Sequence, residues 1–375
     1  MPQLRLMTDG PQSGGHGGQV CTLGFAPDGD FVLSGGWDGH LRLWEVTTGA
    51  PVTGLQVSPK AVSACAVAPD ARQWLAGGLD GMLSTWDAVK HQRAAVELAH
   101  TRPISAILFS ADGALKATTS WDRSAIVSSP AGDRERRVLV GHDDIVAGCR
   151  FTPDGGHLFS WSHDRTARVC ELASGQPSAT LIGHSDRVTA GAVSPDGLWA
   201  ATGARDKVLM LWDLRAERPE RSVCLGGEVR ACFFLLDGQS LLTIDGQGRV
   251  VLHALPDLEE RQELQTGQAV QCAELSPSGQ LLALGCDDGR VRLVGVEGLD
   301  GAELLVTPTQ TTHQTQSRLE KFFGRKRVTH AYACKCPACR HAFELPNGSL
   351  GQPASCPSCR RSLRLSRVAR VSQQA

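Results

Sequence analysis

One short motif returns along the chain at a fixed interval, and this interval constrains the fold more than any other feature. The first copy reads WDGHLRLWEV, and later copies keep an aspartate in the same setting of apolar and polar residues. In five copies the aspartates are 42 residues apart, and they are Asp38, Asp80, Asp122, Asp164 and Asp206. Two weaker copies follow in steps of 41 residues, with Gln247 and Asp288 in the aspartate position. A repeat of this length indicates one supersecondary unit copied seven times, over residues 16 to about 307.

Each unit also carries a histidine, or its replacement, 22 residues before the aspartate, followed by a turn signal such as APDG, TPDG or SPDG. In these signals proline fixes φ, aspartate bonds its own backbone and glycine accepts a positive φ. Between the turns apolar and polar residues alternate, as in residues 41–44, and this period of two is typical of strands. Three or four short strands per unit, repeated radially, predict an all-β fold, a seven-bladed β-propeller.

The pattern GH…PDG…D…LWD resembles the WD-repeat (WD40) family over roughly four-fifths of the chain. The resemblance implies that the turn aspartate, the histidine, a Ser or Thr and the tryptophan of a unit form a hydrogen-bonded network. Two units keep all four residues, namely His16, Ser34, Asp38 and Trp44 in unit one and His184, Thr202, Asp206 and Trp212 in unit five. Units three and four replace the tryptophan by Ser128 and Cys170, unit two lacks the histidine and the hydroxyl, and the last two keep little. A Ser-His-Asp set that repeats around a ring indicates scaffold residues rather than a catalytic triad.

Two segments compete to supply the strand that closes the ring. Propellers of the resembled family usually take this strand from the N-terminus, where QLRLM (3–7) is available. In the segment AELLVT (302–307), Leu305 lies 11 residues after Val294, which is the spacing between Trp44 and Leu55. This register favours 302–307 and predicts a propeller domain over residues 1–307.

Near the end of the chain CPAC (336–339) and CPSC (356–359) form two C-x2-C pairs separated by sixteen residues. Two cysteines three apart on a tight turn direct both sulfurs to one point, and two such turns complete the tetrahedron that Zn²⁺ prefers. The sequence predicts one structural Zn²⁺ per chain, with the ligands Cys336, Cys339, Cys356 and Cys359. An iron site of the rubredoxin type and uncoordinated thiols are the alternatives. Apolar residues that alternate after each pair predict short strands, so the segment resembles a zinc ribbon of the bacterial CPxC…CPxC type.

The charge distribution also divides the chain into parts. Residues 318–375 hold twelve Lys or Arg and two Asp or Glu, although the whole chain has a net charge of −1. Before this basic part, PTQTTHQTQS (308–317) is polar and uncharged, which is typical of a flexible tether. Ser317 and Glu320 have the spacing of a helix cap. We therefore expect a linker with a short helix over 308–330 and a zinc ribbon with a basic tail over 331–375.

The predicted function is that of a non-catalytic interaction scaffold. Residues directly before each turn aspartate should lie on one rim of the ring, and the predicted partner face consists of Trp37, Trp121, His163 and Arg205. The alternative is that Trp37 and Trp121 only cover loops. Trp and Arg are enriched at binding hot spots, so a protein or peptide partner is expected, with the zinc ribbon as a second docking module. The alternative is a nucleic-acid-binding protein that uses the basic tail.

Several classes of function are not expected from this sequence. A phosphate loop, a nucleophile elbow and an H-E-x-x-H motif are not found in it, so neither an enzyme nor a small-molecule substrate is predicted. No apolar run is long enough to span a bilayer. The first residues do not form the apolar stretch of a signal peptide, and the expected location is therefore the cytoplasm.

Overall fold

The computed structural model describes residues 2–6, 15–130 and 136–297, and seven strands in the C-terminal region. The first strand is β1 (Gln3–Leu6). The strands of the first three blades are, in chain order, β2 (Val20–Phe25), β3 (Phe31–Gly36), β4 (His40–Glu45), β5 (Pro51–Gln56), β6 (Val62–Val67), β7 (Gln73–Gly78), β8 (Met82–Asp87), β9 (Gln92–Leu98), β10 (Ile104–Phe109), β11 (Lys116–Ser120), β12 (Ala125–Ser128) and β13 (Arg137–Leu139). Those of the next three blades are β14 (Val146–Phe151), β15 (His157–Ser162), β16 (Thr166–Glu171), β17 (Pro177–Ile182), β18 (Val188–Val193), β19 (Trp199–Ala204), β20 (Val208–Asp213), β21 (Arg218–Cys224), β22 (Val229–Phe234), β23 (Ser240–Asp245), β24 (Arg249–Ala254) and β25 (Glu259–Gln265).

Blade 7 contains β26 (Val270–Leu275), β27 (Leu281–Cys286) and β28 (Val291–Glu297), with β1 as its fourth strand. Each blade is a four-stranded antiparallel sheet, and in blades 1–6 the strands follow chain order from the innermost to the outermost. The innermost strands of neighbouring blades contact one another in a closed series that returns from β26 to β2. The chain therefore folds as an all-β, seven-bladed propeller, as the repeat predicts.

The prediction that residues 302–307 close the ring is wrong. β1 pairs antiparallel with β28, from Gln3 opposite Glu297 to Leu6 opposite Val294. The backbone of Leu4 also exchanges two hydrogen bonds with the Gln262 side chain of blade 6, at 2.7 and 3.0 Å. The connection from Met7 to His16 is longer in sequence than the connections that lead into the other blades. It does not prevent this pairing, because the entropic cost of closing a loop rises only slowly with its length.

The core lies between the blades rather than in one central cluster. Buried apolar residues of adjacent blades pack together at each of the seven junctions of the described ring. One cluster joins blade 1 to blade 7 through Val20, Trp44 and Val291. Burial of apolar surface is the main favourable term in folding, so each blade depends on both neighbours for its stability.

A β-bulge occurs at the same place in all seven blades, between the first and third residues of the innermost strand. In three blades the residue at the bulge is Ser63, Ser105 or Thr189, and its hydroxyl donates a hydrogen bond to a backbone carbonyl of the next innermost strand. The bulge thus frees a side chain to connect neighbouring blades.

The strands of the C-terminal region are β29 (Leu304–Val306), β30 (Thr309–Thr315), β31 (Arg327–Lys335), β32 (Ala342–Pro346), β33 (Pro353–Ser355), β34 (Ser362–Leu365) and β35 (Arg370–Val371). They form two sheets, with the orders β32-β31-β30-β35 and β29-β34-β33. The structure differs here from the tether expected at 308–317, because Thr309–Thr315 pairs along its whole length with β31. Threonine favours strands, and this signal outweighs the polar composition. The helix expected after Ser317 lies outside the described residues.

Candidate functional site

The connections of the propeller alternate between two rims. The turn aspartates and the segments that enter each innermost strand lie on one of them, which we call the aspartate rim. The residue before each turn aspartate donates its backbone N–H to the carbonyl just ahead of the innermost strand of its own blade, as Trp37 does to Gln19 at 3.0 Å. Equivalent bonds are made by Leu79, Trp121, His163, Arg205, Gly246 and Asp287. These seven positions therefore occupy corresponding places on one rim.

Two of the eight tryptophans are exposed, and both lie at these positions. Trp37 is 59% exposed and Trp121 is 42% exposed, whereas Trp44, Trp86 and Trp212 are buried. An indole in water at a structurally fixed position is available for contact with another molecule.

The other two residues of the predicted partner face differ in their surroundings. Arg205 is exposed, and its guanidinium lies 3.4 Å from the Glu228 carboxylate of the next blade. His163 is half-buried, and burial together with the nearby Arg187 and Arg205 lowers its pKa. The rim around blades 4 and 5 thus presents cations beside a neutral imidazole.

The network residues of unit one are in contact. Asp38 Oδ1 lies 2.8 Å from Nδ1 of His16, and Nε2 of the same ring lies 2.8 Å from Ser34 Oγ. Trp44 Nε1–H donates to Ser34 Oγ at 2.8 Å. Asp38 also accepts the backbone N–H of Gly17 at 2.9 Å. One carboxylate therefore joins the rim turn to the segment that enters β2 of the same blade.

The same arrangement recurs in unit five, where His184 bridges Asp206 (3.0 Å) and Thr202 (2.8 Å) and Trp212 donates to Thr202 at 2.8 Å. Units three and four keep the histidine bridge without a tryptophan. Their histidines contact the carboxylates at 2.9 and 2.7 Å and the hydroxyls at 2.8 and 3.0 Å, in the sets His100, Asp122, Thr118 and His142, Asp164, Ser160.

Two units contain substitutes that the sequence reasoning missed. In unit two the Trp86 indole donates to Ser84, two residues earlier on the same strand, at 3.0 Å. Ser58 takes the histidine position and donates to Asp80 at 3.3 Å. In unit six Thr243 and His253 bond at 2.9 Å, with the ten-residue spacing of Ser34 and Trp44. That spacing was the available signal.

Electrostatics explain the form of the network. Burial opposes the charge of Asp38, but hydrogen bonds from Gly17 and His16 lower the pKa of this carboxyl to about 2. Burial lowers the pKa of His16, so the ring is neutral, and the carboxylate requires the proton on Nδ1. Nε2 then accepts the Ser34 hydroxyl proton.

This geometry matches a catalytic triad in its distances but not in its access. Ser34 and Thr202 are fully buried at 0% exposure, and both hydroxyl oxygens already accept a tryptophan N–H. A substrate carbonyl cannot reach either oxygen. The network acts as structure.

A further ion pair crosses the centre of the ring. Arg150 of β14 and Glu274 of β26 lie 3.3 Å apart, although their blades are not neighbours. Burial raises the pKa of Glu274, and Arg150 opposes this shift. The pair connects opposite sides of the central opening.

The predicted metal ligands Cys336, Cys339, Cys356 and Cys359 lie outside the described residues. The strands beside them are described. β31 and β32 pair antiparallel up to Lys335 opposite Ala342, and β33 and β34 pair from Ser355 opposite Ser362. Each C-x2-C pair is therefore flanked in sequence by two antiparallel strands. Within the described residues, no cluster of three or more His, Cys, Asp or Glu could hold a metal ion, and no helix there could span a membrane.

Comparison with protein families identifies the repeat. Five segments match the family model of the WD domain, G-beta repeat (WD40), at residues 11–45, 94–127, 134–171, 175–213 and 260–294. The chain thus contains WD40 repeats, and they build the seven-bladed propeller described above. The matches correspond to blades 1, 3, 4, 5 and 7, and the backbone shows that blades 2 and 6 have the same architecture. WD40 propellers are typically non-catalytic and generally bind protein partners.

Proposed function

We propose that this chain is a non-catalytic interaction scaffold whose aspartate rim binds a protein or peptide partner. The observation that carries the proposal is the exposure of Trp37 and Trp121 at corresponding rim positions. Buried networks fix the turns beside them, so both indoles are presented with little conformational freedom to lose on binding. Aromatic anchors of this kind dominate the energetics of many protein interfaces.

The second docking module in this proposal is a zinc ribbon at the end of the chain. Zn²⁺ bound to four thiolates would be structural, because no coordination position remains for water. The proposal is supported by the spacing of the two C-x2-C pairs and by the antiparallel strands on either side of each. A ribbon of this size has little apolar core, so metal binding would supply much of its folding free energy.

A comparison of three proteins in the native host tests the rim. Affinity purification with the wild-type chain should recover a partner. The double variant Trp37→Ala, Trp121→Ala should not retain this partner. The matched control is Val89→Ala, because Val89 is 80% exposed between β8 and β9 on the opposite rim. Equal recovery by the wild type and the double variant, with unchanged melting temperatures, would refute the rim as the partner face.

Deletion of residues 308–375 separates the two modules in the same experiment. A partner that needs Trp37 and Trp121 should survive the deletion. Recovery that disappears with the tail and is sensitive to nuclease would instead favour nucleic acid bound by the basic tail.

A further inference from the structure

The seven turns of the aspartate rim share a backbone conformation but differ in residue type. The residue after the turn aspartate, or after Gln247 in blade 6, has a left-handed φ in every blade. Four blades use glycine, and their φ values are 74° at Gly39, 78° at Gly81, 80° at Gly248 and 80° at Gly289. Blades 3, 4 and 5 instead use Arg123 (70°), Arg165 (71°) and Lys207 (65°), which we call the rim cations.

A side chain at a left-handed position costs about 1 kcal/mol relative to glycine. Glycine is required in all four of these blades for a second reason, since a Cβ at this position would clash with a backbone carbonyl of the next blade, namely that of Ser58, His100, Gln268 or His16. Blades 3, 4 and 5 provide room for a side chain, and all three rim cations are exposed. Three neighbouring blades thus present a positive charge where glycine would be favoured.

The rim cations have no anionic partner within the described ring. No described carboxylate lies within ion-pair distance of Arg123, Arg165 or Lys207. Arg187 and Arg205 lie close enough to His163 to lower its pKa, and Arg205 also pairs with Glu228 of the next blade at 3.4 Å. An arc of cations therefore extends over blades 3 to 5.

We propose that the rim cations bind an extended acidic peptide segment of a partner protein, with carboxylates placed to meet successive blades. This inference rests on the proposed function and names the chemistry of its partner. Packed sheets lie about 10 Å apart, and an extended peptide in the polyproline II conformation has three residues per turn and advances about 3.1 Å per residue. Carboxylates at every third residue therefore share one face at intervals of about 9 Å, close to the interval between blades.

The acidic residues on the same arc favour a peptide over a nucleic acid. Asp143 and Asp186 are exposed on the segments that enter blades 4 and 5, beside Arg165 and Lys207. A continuous phosphate backbone would meet these carboxylates at short range, whereas a peptide can place neutral residues opposite them. Trp121, at the blade-3 end of the arc, can pack against an apolar residue of the same segment.

The structure supplies a conservative substitution for the test. Arg123→Gly, Arg165→Gly and Lys207→Gly remove three charges and install the residue that four other blades already use at this position. The control variant has Arg72, Lys90 and Arg215 changed to Ala and therefore loses the same three positive charges. These three residues are exposed on the opposite rim, away from the rim cations. The full-length chain is used in every case.

The probes are fluorescently labelled twelve-residue peptides measured by anisotropy. One has glutamate at every third position among Ser, Thr and Ala, the second has the same composition with its glutamates contiguous, and the third probe is a single-stranded oligonucleotide. We expect the wild type and the opposite-rim variant to bind the spaced peptide at least tenfold more tightly than the glycine variant does. Binding should weaken as salt rises above physiological strength.

Three results would overturn the inference. They are equal affinity of the glycine variant for the spaced peptide, no binding of that peptide by the wild type, or tighter binding of the oligonucleotide in a manner that depends on the rim cations. The proposed function has a separate criterion, the partner that requires Trp37 and Trp121. If that partner is recovered equally by the glycine variant, the acidic peptide is excluded and the scaffold function stands.

Discussion

The histidine network should stabilise the propeller, and blades 1 and 2 allow its contribution to be measured by comparison. Asp38 accepts His16 Nδ1–H at 2.8 Å, the Gly17 N–H at 2.9 Å, the His40 N–H at 3.2 Å and Arg42 Nη2–H at 3.4 Å. Asp80 accepts only Ser58 Oγ at 3.3 Å and the Met82 N–H at 3.0 Å among the interactions described. Blade 2 cannot reproduce the Gly17 bond, because Pro59 follows Ser58 and has no N–H.

The two alanine substitutions should therefore differ in cost. A hydrogen bond to a charged group contributes about 1.5–3 kcal/mol, and an unsatisfied buried partner costs about 1–3 kcal/mol. Asp38→Ala leaves the buried His16 without its partner, while water can reach the more exposed Gly17 N–H. We expect a loss of about 2–3 kcal/mol for Asp38→Ala and about 1 kcal/mol for Asp80→Ala.

Urea unfolding near pH 7.5, followed by tryptophan fluorescence, measures both values. The midpoint should fall further for Asp38→Ala than for Asp80→Ala, with unchanged slopes. Asp38→Asn should lie between the wild type and Asp38→Ala, since an amide oxygen can still accept from His16. Equal losses in the two alanine variants would show that the histidine bridge adds nothing, and the reasoning would be refuted.

Three further predictions concern pH, closure and metal. The pKa of His16 is lowered and that of Asp38 is about 2, so the unfolded chain binds protons first as the pH falls. The free energy of unfolding should therefore decrease below about pH 6.5 and again below about pH 4. If Asp38→Ala lost as much stability between about pH 7 and pH 4 as the wild type does, this prediction would be contradicted. Leu4→Ala should cost about 2–3 kcal/mol because Leu4 is buried in the closing blade, and an unchanged melting temperature would argue against closure by β1. Metal analysis should give one Zn²⁺ per chain, and a metal-free wild type would exclude the ribbon. The metal should be lost in Cys356→Ser but kept in Cys334→Ser, because Cys334 lies outside the two C-x2-C pairs.

The blade number could be predicted from the sequence because it depends on local signals that recur. Each unit needs the same turn after the innermost strand and the same carboxylate before the third, so a spacing of 42 residues is visible without any long-range information. The histidine-to-aspartate spacing of 22 residues likewise identified the contacts later seen in four blades.

Contacts between distant parts of the chain could not be read in the same way. The pairing of Leu4 with Val296 joins residues at opposite ends of the propeller, and neither segment carries a local mark of its partner. The pair formed by Arg150 and Glu274 depends on the closed ring, which brings the two strands to face each other.

The hydroxyl of Ser84 was missed for another reason. Residues two apart on a strand lie on one face, so a hydroxyl could bond Trp86 from a position outside the expected register.

The buried network and the rim cations belong to the same turns, and this connects the scaffold to its proposed function. In blades 3, 4 and 5 one oxygen of the turn carboxylate accepts the backbone N–H two residues later, at 3.1, 2.9 and 2.9 Å. The same carboxylate bonds the histidine of its blade, so it holds the turn on both sides of the cation. Burial alone would raise the pKa values of Asp122, Asp164 and Asp206. The hydrogen bonds to each carboxylate and the nearby histidine outweigh burial, so all three pKa values are lowered. The residue between the two anchored points keeps its left-handed backbone and directs its side chain into solvent. An acidic ligand would thus meet cations whose backbone positions are already fixed by the fold, so the rim would lose side-chain entropy but little backbone entropy on binding.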